Sequence, residues 1–117
     1  MVARSPKEFA LGWIDAWNAH DLEAVLAHYR DDFEFSSPLI REFAGKPSGQ
    51  LIGKDAVRAY WQLGLSRLPD LHFEFVDVLE GIDCLVVLYR GHLGLTAEYF
   101  EFDASGMVRR ARALYPG

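Results

Sequence analysis

Between Phe9 and Tyr29 the apolar positions recur at the helical period. Phe9, Trp13 and Trp17 stand four residues apart with Ala10 and Ile14 beside them, one broad apolar stripe. Ser5, Pro6 and Glu8 precede it as N-cap, first helical position and N3. This is a capping box with proline where its missing N–H costs least. Asp21 caps a second helix whose inward face is Leu22, Val25, Leu26 and Tyr29, and the link Asn18–His20 lets the two helices meet only at an angle. Phe33–Ser37 alternates weakly and stops at Pro38, as an edge strand does. Residues 41–53 hold three Gly and one Pro among polar residues and read as a loop. Lys54 to Leu68 reads as a third helix with Val57, Tyr60, Trp61, Gly64 and Leu65 on its apolar face, ended by Pro69–Asp70.

Beyond residue 70 the period changes to two. Leu71–Leu79 alternates around Phe73 and Phe75, and Gly81–Asp83 is a tight turn. Cys84–Tyr89 is nearly all apolar, as expected of a strand covered on both faces. Gly91 and Gly94 flank His92 and mark a bend or bulge. Leu95–Phe102 and Met107–Tyr115 are further strands, joined by a turn at Asp103–Gly106. Helices followed by a mainly antiparallel sheet give an α+β class, with the sheet expected to curl over the helices so that both apolar faces are covered.

The length of 117 residues allows one domain, 1–117, and half of the residues are hydrophobic. Twelve Lys and Arg against seventeen Asp and Glu leave a net charge of −5. That balance argues against general nucleic-acid binding, which rests on neutralising phosphates. No apolar stretch approaches the length that spans a bilayer, so no membrane partner is expected. A single cysteine, Cys84, forbids an intrachain disulfide; with no signal-like leader, the expected setting is reducing and cytoplasmic. His20, His28, His72 and His92 are isolated from one another, which gives no metal-ligand spacing, and no nucleotide or hydrolase motif is present. Neither a metal nor a cofactor is expected.

The run Trp13-Ile14-Asp15-Ala16-Trp17-Asn18-Ala19-His20-Asp21-Leu22 is followed by Tyr29-Arg30-Asp31-Asp32-Phe33-Glu34-Phe35-Ser36-Ser37-Pro38. Gly53-Lys54-Asp55-Ala56-Val57 and Phe102-Asp103-Ala104-Ser105-Gly106-Met107-Val108 come later. This layout resembles the SnoaL-like branch of the nuclear transport factor 2-like superfamily over roughly residues 6 to 115. The resemblance implies a cone: three N-terminal helices packed in the concavity of a strongly curved, mainly antiparallel sheet, with a deep apolar pocket. It further implies a hydrophobic small-molecule ligand and a homodimer through the convex sheet face. Its members range from isomerases, cyclases and dehydratases to non-catalytic binding domains, so activity must be argued from the site.

The resemblance places Ser37 where steroid isomerases carry their proton-abstracting carboxylate, and a hydroxyl is a poor base. Glu98 lies about where a neutral acid donates to the oxyanion, and Trp13 takes the place of a helix tyrosine. Tyr89-Arg90-Gly91-His92 breaks the Arg-centred pattern of the epoxide-hydrolase branch. Glu98 and His92 are therefore the catalytic candidates. Glu98 shares a strand face with Thr96, Phe100 and Phe102, where apolar neighbours would raise its pKa; the competing reading pairs it with Arg109 or Arg110. His92 titrates near neutrality unaided, or sits in solvent between its glycines. Asp15 and the Asp31–Asp32 pair read as solvated, the latter in a turn. The expected pocket wall is Trp13, Trp17, Tyr29, Ser37, Tyr60, Trp61, Phe100, Ala111, Ala113 and Tyr115. The expected chemistry is cofactor-independent proton transfer beside a carbonyl, with non-catalytic binding of a metabolite or protein partner as the alternative.

Overall fold

The computed structural model describes residues 5–117. Helix α1 (Pro6–Asn18) starts on the capping box: the Glu8 N–H donates to the Ser5 hydroxyl at 3.1 Å, and the Ser5 N–H donates to the Glu8 carboxylate at 3.0 Å. Its stripe of Phe9, Ala10, Trp13, Ile14 and Trp17 is buried. Asp21 caps α2 (Leu22–Leu26), accepting from the Ala24 N–H at 3.1 Å. Tyr29 does not extend this helix. It opens strand β1 (Tyr29–Ser36), because the preceding N–H of Ala27 and His28 turn back onto Glu23 and Val25 and free the chain to pair. Asp31 and Asp32 are thus exposed strand residues and not a turn.

The segment after β1 is also more ordered than a loop. Helix α3 (Pro38–Phe43) starts at Ser37, whose hydroxyl accepts from the Leu39 N–H at 3.2 Å. Strand β2 (Gln50–Ile52) then returns antiparallel to β1, with Leu51 opposite Phe35. Helix α4 (Lys54–Arg67) follows, then β3 (Glu74–Gly81), β4 (Cys84–Gly91), β5 (Gly94–Phe102) and β6 (Val108–Leu114). His92 and Leu93 are the two-residue turn of the β4–β5 hairpin, with Gly94 at φ 93° where a side chain would be strained.

The six strands form one sheet in the order β2-β1-β6-β5-β4-β3, antiparallel except for the parallel pair β1–β6. This corrects the expected architecture. The sheet is mixed and open, ending on β2 and β3, and is not the strongly curved sheet of a cone. Among the described residues there are four helices and not three, because α3 and β2 occupy part of the stretch after Ser37 that read as a loop. Strand β1, expected at an edge, lies between β2 and β6.

Cross-strand register stacks the inward side chains in rows. Phe35, Ala111, Phe100 and Leu85 form one row; Ala113, Glu98 and Val87 the next; Thr96 and Tyr89 another. All are buried. Opposite residues share a face, so the outer face carries the rows Leu79, Val86, Tyr99, Arg112 and Leu88, Ala97, Leu114. Strand β4 is therefore fully covered on one face and only half covered on the other, where both were expected covered.

The short link after α1 also clamps the chain entering β3. The Asn18 side chain accepts from the Phe73 N–H at 2.7 Å and donates to the Phe73 carbonyl at 2.9 Å, while a His20 ring nitrogen lies 2.9 Å from the Leu71 carbonyl. Asn18→Ala leaves a partly buried N–H and carbonyl without these partners, a loss of about 1–3 kcal/mol. Urea denaturation should show that loss, with Asp15→Ala on the exposed helix face close to wild type.

Candidate functional site

A cavity of about 470 Å³ lies between the helices and the inner face of the sheet. Trp13 and Trp17 from α1, Trp61 from α4, Phe73 and Tyr89 make its apolar wall. The polar groups in the wall are Ser37, Tyr60, Thr96, Glu98 and Tyr115. At the mouth stand exposed Phe43, Leu63 and Leu93 with Glu42, Arg67 and His92.

Of the residues expected in the wall, Trp13, Trp17, Ser37, Tyr60, Trp61 and Tyr115 line the cavity. Tyr29, Phe100, Ala111 and Ala113 do not; they are buried outside it. Trp13 packs edge-on to Phe100, with ring centres 5.2 Å apart, and its indole N–H donates to the Tyr29 hydroxyl at 3.0 Å. The two alanines are too short to reach past Phe35, Phe100 and Glu98, their neighbours in the rows. Phe73, Thr96, Glu42 and Arg67 line the cavity without having been singled out. Thr96 was within reach of the period-two rule, since it shares the face of Glu98.

Glu98 is buried, with 3% of its surface exposed. Burial pushes its pKa up to about 8; the nearby Tyr89 hydroxyl, 3.4 Å from Oε1, lowers it only in part. At 3.4 Å that hydrogen bond is long and weak. Among the described residues no arginine pairs with Glu98. Arg109 and Arg110 instead pair with Glu101, which alternation places on the other side of β5; the Arg110 contact is 3.6 Å, and Arg110 also meets Glu34 at 3.3 Å. Glu98 is thus a carboxyl without a counter-charge, about ten parts neutral to one ionised at pH 7.

The phenols around it share its problem. Burial, then the field of Glu98, pushes the Tyr29 and Tyr89 hydroxyls well above the ordinary tyrosine range. Tyr60 and Tyr115 are raised by burial too, although hydrogen bonding with Ser37 pulls each of them back a little. All four keep their protons at neutral pH, and the three that line the cavity, Tyr60, Tyr89 and Tyr115, make it rich in neutral donors.

His92 does not join Glu98. It is exposed on the β4–β5 turn at the mouth, while Glu98 lies four residues beyond Gly94, about 13 Å along the strand. Asp15 is exposed on α1, and Cys84 is half-buried and free. Among the described residues no group of three or more His, Cys, Asp or Glu is placed to hold a metal ion, and no helix is long and apolar enough to cross a membrane.

The sequence pattern of the SnoaL-like domain matches residues 10–113. No curated protein matches the chain. Among solved structures, a SnoaL-like protein of unknown function from Burkholderia thailandensis E264 is 50% identical over 96% of this chain and 94% of its own, with a TM-score of 0.92. An NTF2-like protein of unknown function from Burkholderia pseudomallei K96243 is 18% identical over 97% of this chain and 92% of its own, at TM-score 0.72. TerC, co-crystallised with polyporic acid, is 16% identical over 96% and 92% of the two chains, at TM-score 0.76. The last two likenesses speak for the fold alone. The domain match across nearly the whole length, together with a relative identical at half of its positions, establishes that the chain belongs to the SnoaL-like family.

Proposed function

We propose that the chain binds a hydrophobic carbonyl compound in this cavity and moves a proton on it without a cofactor, with Glu98 as the acid and base. The observation that carries the reading is a buried carboxyl with no counter-charge in the wall of an aromatic cavity, its pKa raised to about 8. A carboxyl tuned near neutrality both gives and takes a proton at comparable cost. In its ionised form Glu98 removes a proton from the carbon beside the carbonyl. The C–H bond breaks, the proton goes to the carboxylate, and the electron pair moves onto the carbonyl oxygen as an enolate. The Tyr89 hydroxyl is the donor that steadies that oxygen. Return of the proton to a different carbon restores Glu98 and leaves an isomer. That TerC was co-crystallised with polyporic acid supports reading such a cavity as a small-molecule site.

One observation favours a second reading. Ser37, in the place of the carboxylate of the family's steroid isomerases, has a hydroxyl that accepts from the Leu39 N–H and hydrogen-bonds with Tyr60 and Tyr115, so it supplies no second carboxylate beside Glu98. In a non-catalytic carrier, neutral Glu98 would serve only as a hydrogen-bond donor.

We also infer a homodimer through the outer sheet face. Leu79, Val86, Leu88, Ala97 and Leu114 form a contiguous apolar patch there, with Leu79 57% and Leu114 51% exposed. Sedimentation equilibrium should give twice the monomer mass, reduced to the monomer by Leu114→Glu. A monomer at high concentration in the unaltered protein would refute the dimer.

For an enzyme, turnover of a bound ketone should rise with pH to a plateau above an apparent pKa near 8, and Glu98→Gln should lower kcat at least 100-fold while leaving binding within about threefold. A carrier would show no turnover in either protein. Glu98 also links stability to pH. Its folded pKa of about 8 lies above the ordinary 4.5, so the folded state holds a proton that the unfolded state has lost between those values. Stability therefore falls as pH rises from about 4.5 to 8, by an amount on the order of 4 kcal/mol. Thermal melts across that range should show the decline in the wild type and a flatter profile in Glu98→Gln.

A further inference from the structure

Arg67 lies in the last turn of α4 and borders the mouth of the cavity. A cation at a helix C-terminus needs no further explanation, because the last carbonyls attract it. The course of its side chain does need one. The guanidinium crosses to α3 and lies over the Phe43 ring, 5.4 Å from its centre, and Phe43 is itself half exposed at the mouth. Among the described residues no carboxylate comes within 4.0 Å of Arg67. Arg30, Arg58, Arg90, Arg109 and Arg110 each have such a partner; Arg41 and Arg112 have none either, but neither of them borders the cavity. Glu42 borders the same mouth and is not paired with Arg67. In a chain with seventeen acids, this arginine has been left free beside a cavity opening.

A guanidinium stacked on a ring keeps its edge N–H donors available, in the planar fork that fits a carboxylate. Among the polar groups that line the cavity, Glu98 is thus an acid without a counter-charge inside, and Arg67 a cation without a carboxylate partner at the mouth. A purely apolar ketone would leave the cation unused. A ligand with its own anion in the interior would find no counter-charge there.

We propose that Arg67 is a specificity-determining residue and that the ligand is a hydrophobic keto acid, its ketone held at Glu98 and its carboxylate at Arg67. The assignment of the ketone rests on the reading of Glu98 given under the proposed function; the assignment of the carboxylate does not.

The probes are benzoyl-alkanoates in which two to six methylenes separate the ketone from the carboxylate. Their methyl esters and the phenylalkanoates of equal length that lack the ketone complete the set. Isothermal titration at pH 7 should find one chain length that binds best, with the acid about tenfold tighter than its ester. Arg67→Met should bring the acid to the ester's affinity and leave the ester unchanged, and Arg67→Lys should restore part of the difference. Glu98→Leu should weaken the keto acids and not the phenylalkanoates. Equal binding of acid and ester, an acid preference that survives Arg67→Met, or no binding of any acid at millimolar concentration would overturn the role of Arg67. Equal binding of keto acids and phenylalkanoates, both still dependent on Arg67, would instead overturn the reading of Glu98 and with it the ketone.

Discussion

The structure turns on one carboxyl that is buried without a counter-charge. Ionised Glu98 would carry a full charge into an aromatic interior at a cost of several kcal/mol. The protein avoids most of that cost by keeping the proton, which is the meaning of a pKa near 8. A structural role would be served more cheaply by an apolar side chain at the same position, in line with Val87 and Ala113 on either side of it in the sheet. The acid in that row gives the otherwise apolar cavity wall a buried titratable group.

The surrounding residues follow from that constraint. Trp13 supports Tyr29 through its indole N–H and stacks against Phe73, while Trp17 and Trp61 meet edge to face at 5.0 Å. These rings keep the cavity wall apolar and so keep Glu98 neutral. The arginines of β6 are held away from Glu98 by the register shift at Glu101 and Phe102, which leaves Arg109 as an extra residue so that Glu101 takes both Arg109 and Arg110. Had one of them reached Glu98, the carboxyl would have been ionised and held low, and the proton-transfer reading would have had no basis.

Local signals in the sequence translated well and nonlocal ones did not. The Ser5-Pro6-Glu8 cap, the aromatic stripe of α1 and the alternation around Glu98 each concern a few neighbouring residues, and the structure carries all three. Ser37-Pro38 repeats the Ser-Pro start of α1, yet a proline after an alternating run reads first as the end of a strand, so α3 goes unseen. The parallel pairing of β1 with β6 joins segments nearly eighty residues apart and leaves no local mark, so neither that pairing nor the open form of the sheet was legible. The same limit applies within the site. Periodicity puts Trp13 and Phe100 on inward faces alike, but only packing decides that the first meets the cavity and the second lies outside it. His92 was a candidate beside Glu98 as a residue of the same bent ribbon, and the hairpin turn sends it to the mouth instead.

The central claim concerns the charge state of one side chain, and it is directly observable. Carbon-13 NMR of the glutamate side-chain carboxyls, titrated from acid to pH 10 and assigned by the loss of one signal in Glu98→Gln, follows Glu98 without any substrate. The account predicts a Glu98 carboxyl that titrates near pH 8. A Glu98 signal that titrates near 4.5 would show the carboxylate to be ionised and solvated at neutral pH, and would contradict the account.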